Sequence, residues 1–527
     1  MNATNPINED KTSGVNNSYW ADSVAPIVFG PVDSAKETDV LIIGGGLAGV
    51  TAAYCLSKSG KRVILVEDGY LGSGETGRTT AHIAYALDDR YYDLERFFGK
   101  EKTKIIAESH RTAIDFIEDR VREEQIDCNF MRVHGHLFLD PTDKEKNLDE
   151  EFEATRRAGL PTEMLDDIPG FISDSIIERS IRFPDQGQFH ILKYLKGLAS
   201  AIIRNGGEIY TQSKATAISK TGAKMNGFAV SAKHIVVATN SPINDRFTMH
   251  TKQWPYRTYV IGAKIPKGTL PYAMWWDTGN QESKWVAKPY HYVRLEPFDE
   301  QFDLLISGGE DHKTGQADEE DMPEENRYAS LIGWTKRHFP YFSDIAYQWS
   351  GQVMEPVDGP AFIGKNPGDD NIYIITGDSG NGMTHCTIGG ILINDLISGI
   401  KNEWEDVYSP SRITFRTGDD YLKEVGNMTY KMAKDWLSSD IEKPSELKPG
   451  EGGIITKGLK KIAAYRDENG VLHSCSAVCP HLGGIVQWNN DEKSFDCPLH
   501  GSRFTADGTV INGPAGSGLK KADLEDE

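Results

Sequence analysis

One stretch, DVLIIGGGLAGVTAAYCLSKSGKRVILVE (residues 39–67), constrains this chain more than any other. Val40 to Ile43 form a continuous apolar run, and RVILV (62–66) forms a second. Such runs suit parallel strands buried on both faces. Between them Ala48 to Ser57 have helical composition, and Gly60 marks the stop. The turn Gly44-Gly45-Gly46-Leu47-Ala48-Gly49 satisfies G-x-G-x-x-G. Its glycines permit a tight turn and close approach of backbone to a pyrophosphate resting on the helix N-terminus. Glu67, ending the second strand, is placed to accept hydrogen bonds from ribose hydroxyls. The whole unit, and not the hexapeptide alone, favours a dinucleotide site over a ligand-free glycine-rich turn.

The rest of the chain bounds what surrounds this unit. A length of 527 residues allows two to four domains. With 57 basic against 78 acidic residues, net charge −21, neither nucleic acid nor an anionic membrane is an expected partner. No apolar run approaches the ~20 residues of a membrane span; GGILINDLISGI (389–400) is interrupted by Asn394 and Asp395. The start, MNATNPINEDKTSG, lacks the basic and apolar regions of a signal peptide, so a cytoplasmic location is expected. Residues 1–36 read as a polar leader, with Tyr19 and Trp20 able to pack onto the body. EKTKIIAESHRTAIDFIEDRVREE (101–124) reads as helix. HGHLFL (134–139), HIVVAT (234–239), TYVIGAKI (258–265), DLLISGG (303–309) and NIYIITG (371–377) read as strands. Residues 401–440 read as a connecting helix and linker, and 441–527 as short antiparallel strands joined by tight turns.

Three further segments follow in order: GSGETGRTTAHIA (72–84), WSGQVMEPVDGPAFIG (349–364) and IITGDSGNGMTHCTIGG (374–390). Together with the glycine turn, they make residues 37–400 resemble the D-amino-acid oxidase-like FAD enzymes, which include glycine oxidase, sarcosine oxidase and the dimethylglycine dehydrogenases. The resemblance implies an α/β FAD-binding Rossmann-like domain interleaved with an α+β substrate domain. It places Gly44, Gly46, Gly49, Glu67, Arg78, Thr79, Thr80 and His82 along FAD, and Gly377, Gly382, Met383 and Thr384 at the flavin ring. Backbone N–H groups near the ring's pyrimidine end would stabilise negative charge on the reduced flavin. In dimethylglycine dehydrogenase-like members a histidine near the position of His82 is covalently joined to the flavin; His82 either does the same or packs beside the ring. No second G-x-G-x-x-G unit marks a separate nicotinamide site.

The implied reaction is oxidation of an amine or amino acid at its C–N bond by hydride transfer to the flavin. The substrate layer is expected from about 88–165 and 250–345. There Arg257, Tyr259, His291 and Arg294 are candidates to wall a pocket and hold a carboxylate. Asp311 and His312 follow a strand end, where functional groups often sit. His385 lies close to the flavin segment. His385, His312, Arg257 and Tyr259 are therefore the candidate catalytic residues.

The C-terminal segment carries a different chemistry. CPH (479–481) and CPLH (497–500) are two Cys-His clips separated by fifteen residues. Six thinly spread cysteines point to a metal site and not to a disulfide framework. Two thiolates and two imidazoles suit tetrahedral zinc. Each clip, however, pairs one Cys with one His and runs on into glycine. With DGTVINGPAG (507–516), this makes 441–527 resemble the Rieske [2Fe-2S] domain, all-β and small. The resemblance assigns Cys479 and Cys497 to one iron, His481 and His500 to the other, and Pro514 to the covering loop. The extra disulfide of respiratory members is missing, since Gly484 and Leu499 stand at its positions. Ser502 matches a potential-raising serine, and Phe504 replaces a tyrosine that acts likewise. A value inside the range of about −150 to +300 mV, and below its top, is expected. Cys475 reads as a buried strand thiol.

A flavin reduced by hydride holds two electrons, whereas such a cluster takes one at a time. The expected function is a dehydrogenase whose electrons leave singly through the cluster to an external acceptor. A redox sensor or electron-transfer flavoprotein without turnover, and an oxidase with a zinc-bearing tail, are the alternatives.

Overall fold

The computed structural model describes residues 14–173, 179–244, 249–283, 288–316, 327–413, 426, 431–432, 434–436 and 441–524. Most of the expected linker between 414 and 440 thus lies outside the described residues.

The strand Lys36–Ile43 runs parallel to Val63–Val66 on one side, with Val40 opposite Val63, and to Phe228–Val237 on the other, with Val40 opposite His234. Glu208–Tyr210 and Ile372–Thr376 extend this sheet in parallel, and Phe362–Lys365 closes one edge antiparallel. The helices Leu47–Lys58 and Gly382–Ser398 pack together against it, which is why both are apolar nearly all round. Each starts directly after a strand of this sheet, the first at the glycine turn and the second just past Thr376.

A nine-stranded mixed sheet forms the second layer, in the order Ile345–Pro356, Gln253–Pro266, Phe302–Lys313, Tyr292–Pro297, Ala273–Asp277, Met131–Phe138, Ser180–Gln188, His82–Ile83, with Glu163–Leu165 paired to Ser180–Gln188. His82–Ile83 leaves the nucleotide domain to join this sheet, so one short segment belongs to both.

The C-terminal domain consists of two small antiparallel sheets. Gly452–Lys457, Lys460–Arg466 and Leu472–Ser476 make one, and Gln487–Asn489, Ser494–Asp496, Arg503–Thr505 and Val510–Asn512 the other. It has its own core around Ile454, Phe495 and Phe504. The leader is wedged against both parts. Trp20 is buried and its Nε1 donates to Thr79 O at 2.6 Å, while Asn16 Nδ2 donates to Asp491 O at 2.9 Å. Among the described residues no helix is long and apolar enough to cross a membrane.

Candidate functional site

A cavity of about 1260 Å³ runs from the glycine turn to the second sheet. It exceeds the roughly 300–1,000 Å³ typical of a small-ligand pocket and has room for a dinucleotide with a substrate beside it. Gly44, Gly46, Glu67, Arg78, Thr79, Thr80, His82, Gly382 and Met383 all line it. Gly49, Gly377 and Thr384 do not. A Cβ on Gly49 would collide with Gly44 O, so that glycine serves the contact between helix and turn. Thr384 Oγ1 instead pairs with His110 Nδ1 at 2.7 Å.

The residues fit FAD by their geometry. Gly44 adopts φ +112°, and a Cβ there would strike Ala238 O. Gly46 brings no capping side chain of its own to the helix Leu47–Lys58, Thr76 Oγ1 accepts from Leu47 N at 3.0 Å, and the helix dipole favours an anion at this end. Glu67 Oε2 accepts from Gly45 N at 2.6 Å and Oε1 from Gly69 N at 2.9 Å, which fixes the carboxyl beside the glycine turn. Burial, then the neighbouring Asp68, raises its pKa to about 8. His82 Nδ1 pairs with Thr80 Oγ1 at 3.0 Å, whereas its buried Nε2 has no hydrogen-bond partner. Burial lowers the His82 pKa to about 3, so the ring is neutral. Arg294 Nε donates to Thr80 O at 2.6 Å and holds this wall in place.

The substrate-side candidates are placed by the period of two along a strand. Tyr256, Thr258 and Val260 line the cavity, while Arg257 and Tyr259, of the opposite parity, do not. Asp311 lines it and His312 does not. The expectation that Arg257 and Tyr259 wall a pocket therefore does not match their placement, and His312, a candidate catalytic residue, also lies off the cavity. His312 Nε2 pairs with Tyr259 OH at 3.2 Å on the far face. Arg257 is fully buried near Asp496, Glu492 and Glu75. His385 lies behind the wall, with Nδ1 donating to Asp378 O at 2.9 Å. His291 is held by Asp277 Oδ2 at 2.7 Å; burial pulls its pKa down, but Asp277 and Glu310 outweigh this and raise it to about 10. Arg294 is spent on Glu296 at 2.8 Å.

The sequence reading missed the acidic wall, which includes Asp88, Asp89, Glu151 and Glu355. Burial, then Asp88, Asp93 and Asp358, raises Asp89 to about 7. Asp88 and Asp89 share one loop, but Glu151 comes from the helix Glu145–Arg157 and Glu355 from the end of the strand Ile345–Pro356, so no spacing announces the group.

In the C-terminal domain the four clip residues form two pairs. A hydrogen bond with Cys497 holds the Cys479 thiol down to about 7, and the His481 and His500 rings lie 4.9 Å apart. Among the described residues no three His, Cys, Asp or Glu side chains converge on one ion position. Two thiols and two imidazoles as separate pairs fit a two-iron cluster better than a single tetrahedral ion. A Cβ on Gly484 would press on Leu499 and approach Cys497 Sγ at 3.1 Å, which explains a glycine after the first clip.

This domain docks with its histidines inward. The His250 ring, on the flavin-side body and buried, lies 4.8 Å from His481 and 5.6 Å from His500. Gln352 lines the cavity, and its Nε2 donates to Gly501 O, next to His500, at 3.1 Å. Glu75 accepts from Gln352 N at 2.7 Å and from Asn512 Nδ2 at 3.0 Å. The loop residues from Asp507 to Gly513 line the same cavity as the glycine turn.

Comparison with known proteins agrees with both halves. Residues 39–396 match the family described as FAD dependent oxidoreductase (DAO), and residues 438–523 match the Rieske [2Fe-2S] domain. The chain is 32% identical over 518 residues to the Rieske 2Fe-2S iron-sulfur protein YhfW of Bacillus subtilis, covering 96% of this chain and 98% of that protein. It is 26% identical to the gamma-glutamylputrescine oxidoreductase of Escherichia coli, over 72% of this chain and 89% of that protein. The crystal structure of glycine oxidase from Geobacillus kaustophilus superposes with a TM-score of 0.58 at 16% identity, covering 72% of this chain and 100% of that one, a likeness of fold.

Proposed function

Because the chain belongs to the FAD dependent oxidoreductase (DAO) family and ends in a Rieske [2Fe-2S] domain, we propose that it is a dehydrogenase of an amine or amino acid, whose electrons leave through the cluster to an external one-electron acceptor. In that reaction the C–H bond beside nitrogen breaks, its hydride leaves with both electrons, and the nitrogen gives up a proton. Water then hydrolyses the imine to a carbonyl compound and an amine. When bound, the flavin supplies the hydride acceptor and the cluster a one-electron outlet.

The chain's own residues do the holding. The turn at Gly44 and Gly46, with the helix behind it, takes the pyrophosphate, and Glu67 the ribose. Thr79, Thr80 and His82 would hold the flavin from one segment of the cavity lining, with Gly382 and Met383 contributing from the start of the helix Gly382–Ser398. His82, neutral and with Nε2 unpartnered, suits attachment to the flavin; yellow colour that stays with the polypeptide in acid is the expected result if it is joined. Cys479, Cys497, His481 and His500 hold the cluster.

The observation that carries this reading is the shared wall. Gln352 lines the cavity and also donates to Gly501 O beside the cluster ligand His500, so the two sites share this side chain. The name of the Escherichia coli relative, an oxidoreductase of an amine derivative, points the same way.

The test is to mix the holoprotein anaerobically with primary and secondary amines, N-methyl amino acids and D-amino acids. Flavin absorbance is followed, and the reduced-cluster EPR signal is recorded in the same tube. Bleaching followed by the EPR signal is expected. Bleaching without the signal overturns the relay, and no bleaching across the panel overturns the dehydrogenase.

A further inference from the structure

The end of the cavity away from the glycine turn is built from carboxylates. Asp88, Asp89, Asp93, Glu151, Asp311 and Glu355 line it, against two cations, Arg90 and Lys288. Arg90 donates to Leu87 O and Asp277 O at 3.1 and 3.2 Å, and Lys288 Nζ to Ser283 O at 2.6 Å, so both have hydrogen bonds to backbone carbonyls. The arginines expected to grip a substrate carboxylate, Arg257 and Arg294, do not line the cavity.

The acids differ in how far they are satisfied. Asp88 Oδ1 accepts from Tyr290 OH at 2.8 Å, and Glu355 Oε2 from Ser379 Oγ at 2.7 Å. Glu151 is only 2% exposed; Tyr92 N reaches its Oε2 at 3.3 Å, but its Oε1 is buried on the cavity wall with no hydrogen-bond partner. Asp311 Oδ1 is likewise without one. Buried carboxyls this close raise one another's pKa: burial first, then Asp89, Asp88 and Asp311, push Glu355 well up. Keeping such a group together is costly unless something positive completes it. A metal ion is a poor candidate, because among the described residues no three acids converge on one position.

We propose that this wall is the receptor for an amine carrying at least two separated positive charges and no carboxylate at the oxidised carbon, of the linear diamine or polyamine class. The proposal rests on the dehydrogenase reading above and names its substrate class. One nitrogen is presented for oxidation, and the second ammonium sits against Asp89 and Glu151, whereas Asp93 is already paired with Arg96 at 2.9 Å. An amino-acid zwitterion would bring its carboxylate against this wall, where the described cations, Arg90 and Lys288, are already hydrogen-bonded to backbone carbonyls.

The test uses the full-length holoprotein and three linear four-carbon probes: the diamine, the monoamine, and the amino acid with a carboxylate in place of the second amine. Binding is read from the shift of the flavin absorption bands under anaerobic conditions, and reduction from their bleaching. The diamine should bind about tenfold or more tightly than the monoamine, the gain of one buried charge pair, and the amino acid most weakly. Asp89→Asn and Glu151→Gln, tested separately, should each cut that preference several-fold. Either variant removes a buried acid crowded by like charges, so its melting temperature should hold or rise, which checks folding. Equal binding of all three probes, tightest binding of the amino acid, or an unchanged preference in both folded variants overturns the proposal. If the diamine binds preferentially but no amine bleaches the flavin, the dehydrogenase reading fails while the cationic receptor stands. If the monoamine or an amino acid reduces the flavin best, the reverse holds.

Discussion

Ser502 accepts a hydrogen bond from Ala515 N at 3.0 Å and also bonds Cys479, so its hydroxyl proton is directed at the sulfur side of the clip. A donor there stabilises the added negative charge of the reduced cluster more than the oxidised one. Hydrogen bonds to charged groups are worth about 1.5–3 kcal/mol, which for one electron at about 59 mV per tenfold is roughly 60–130 mV. Ser502→Ala should therefore lower the cluster's midpoint potential by that order. Phe504, fully buried two residues on, has no hydroxyl to add, and Phe504→Tyr should move the potential the other way if the new hydroxyl reaches the cluster. EPR-monitored redox titration measures both. An unchanged potential in Ser502→Ala would mean that the hydroxyl serves only to pin Ala515.

At the scale of elements, the glycine turn and the strand Gln253–Pro266 make opposite cases. Gly44→Ala should add strain of roughly 1–3 kcal/mol from the left-handed backbone alone, plus the collision with Ala238 O. The expected outcome is protein purified with little flavin and a lower melting temperature; full flavin occupancy would remove Gly44 from the cofactor's cradle. This turn was readable because its chemistry is local: the strand, the glycines, the helix and Glu67 are consecutive, and the backbone itself makes the site. The clips were readable for the same reason, with each pair of donors within four residues. The strand was harder. Its apolar core was visible from Thr258, yet it extends back to Gln253 through Trp254 and Pro255, and a proline there disguises the start. The face each residue takes depends on what covers the sheet. Arg257 and Tyr259 looked like pocket residues by type, but parity turns Arg257 towards Asp496 and Glu492 and packs Tyr259 against Tyr328 and Leu331, and gives the cavity Tyr256 and Thr258. The acidic wall was illegible because Asp88, Glu151, Asp311 and Glu355 meet only after three elements have packed.

At the scale of the whole molecule, one buried ion pair ties the two redox domains together across 414 residues of sequence. Arg78 Nη2 meets Glu492 Oε2 at 3.1 Å, with both side chains almost fully buried. Ser350 Oγ also donates to Glu492, and Arg78 Nη1 donates to Asn16 O, so leader, flavin domain and tail meet at this point. Burial tends to raise the Glu492 pKa, but Arg78, Arg257 and Arg503 outweigh it and hold the carboxyl below its ordinary 4.5. A folded-state pKa below the unfolded one means that this contribution is fully present above about pH 4.5. It is lost as pH falls through the lower folded value, so the docked arrangement should release in acid and not in base. Glu492→Gln keeps the shape but leaves Arg78 and Arg257 buried without that countercharge, at a cost of about 3–5 kcal/mol. Because Gln352 reaches Gly501 and Glu75 reaches Asn512 only while the domains are docked, the loss should appear as uncoupling. Amine should still bleach the flavin in Glu492→Gln, while the reduced-cluster EPR signal appears more slowly and a calorimetric transition moves to lower temperature. A variant that melts and transfers electrons like the parent would mean that this ion pair neither holds the domains together nor keeps the two centres in contact.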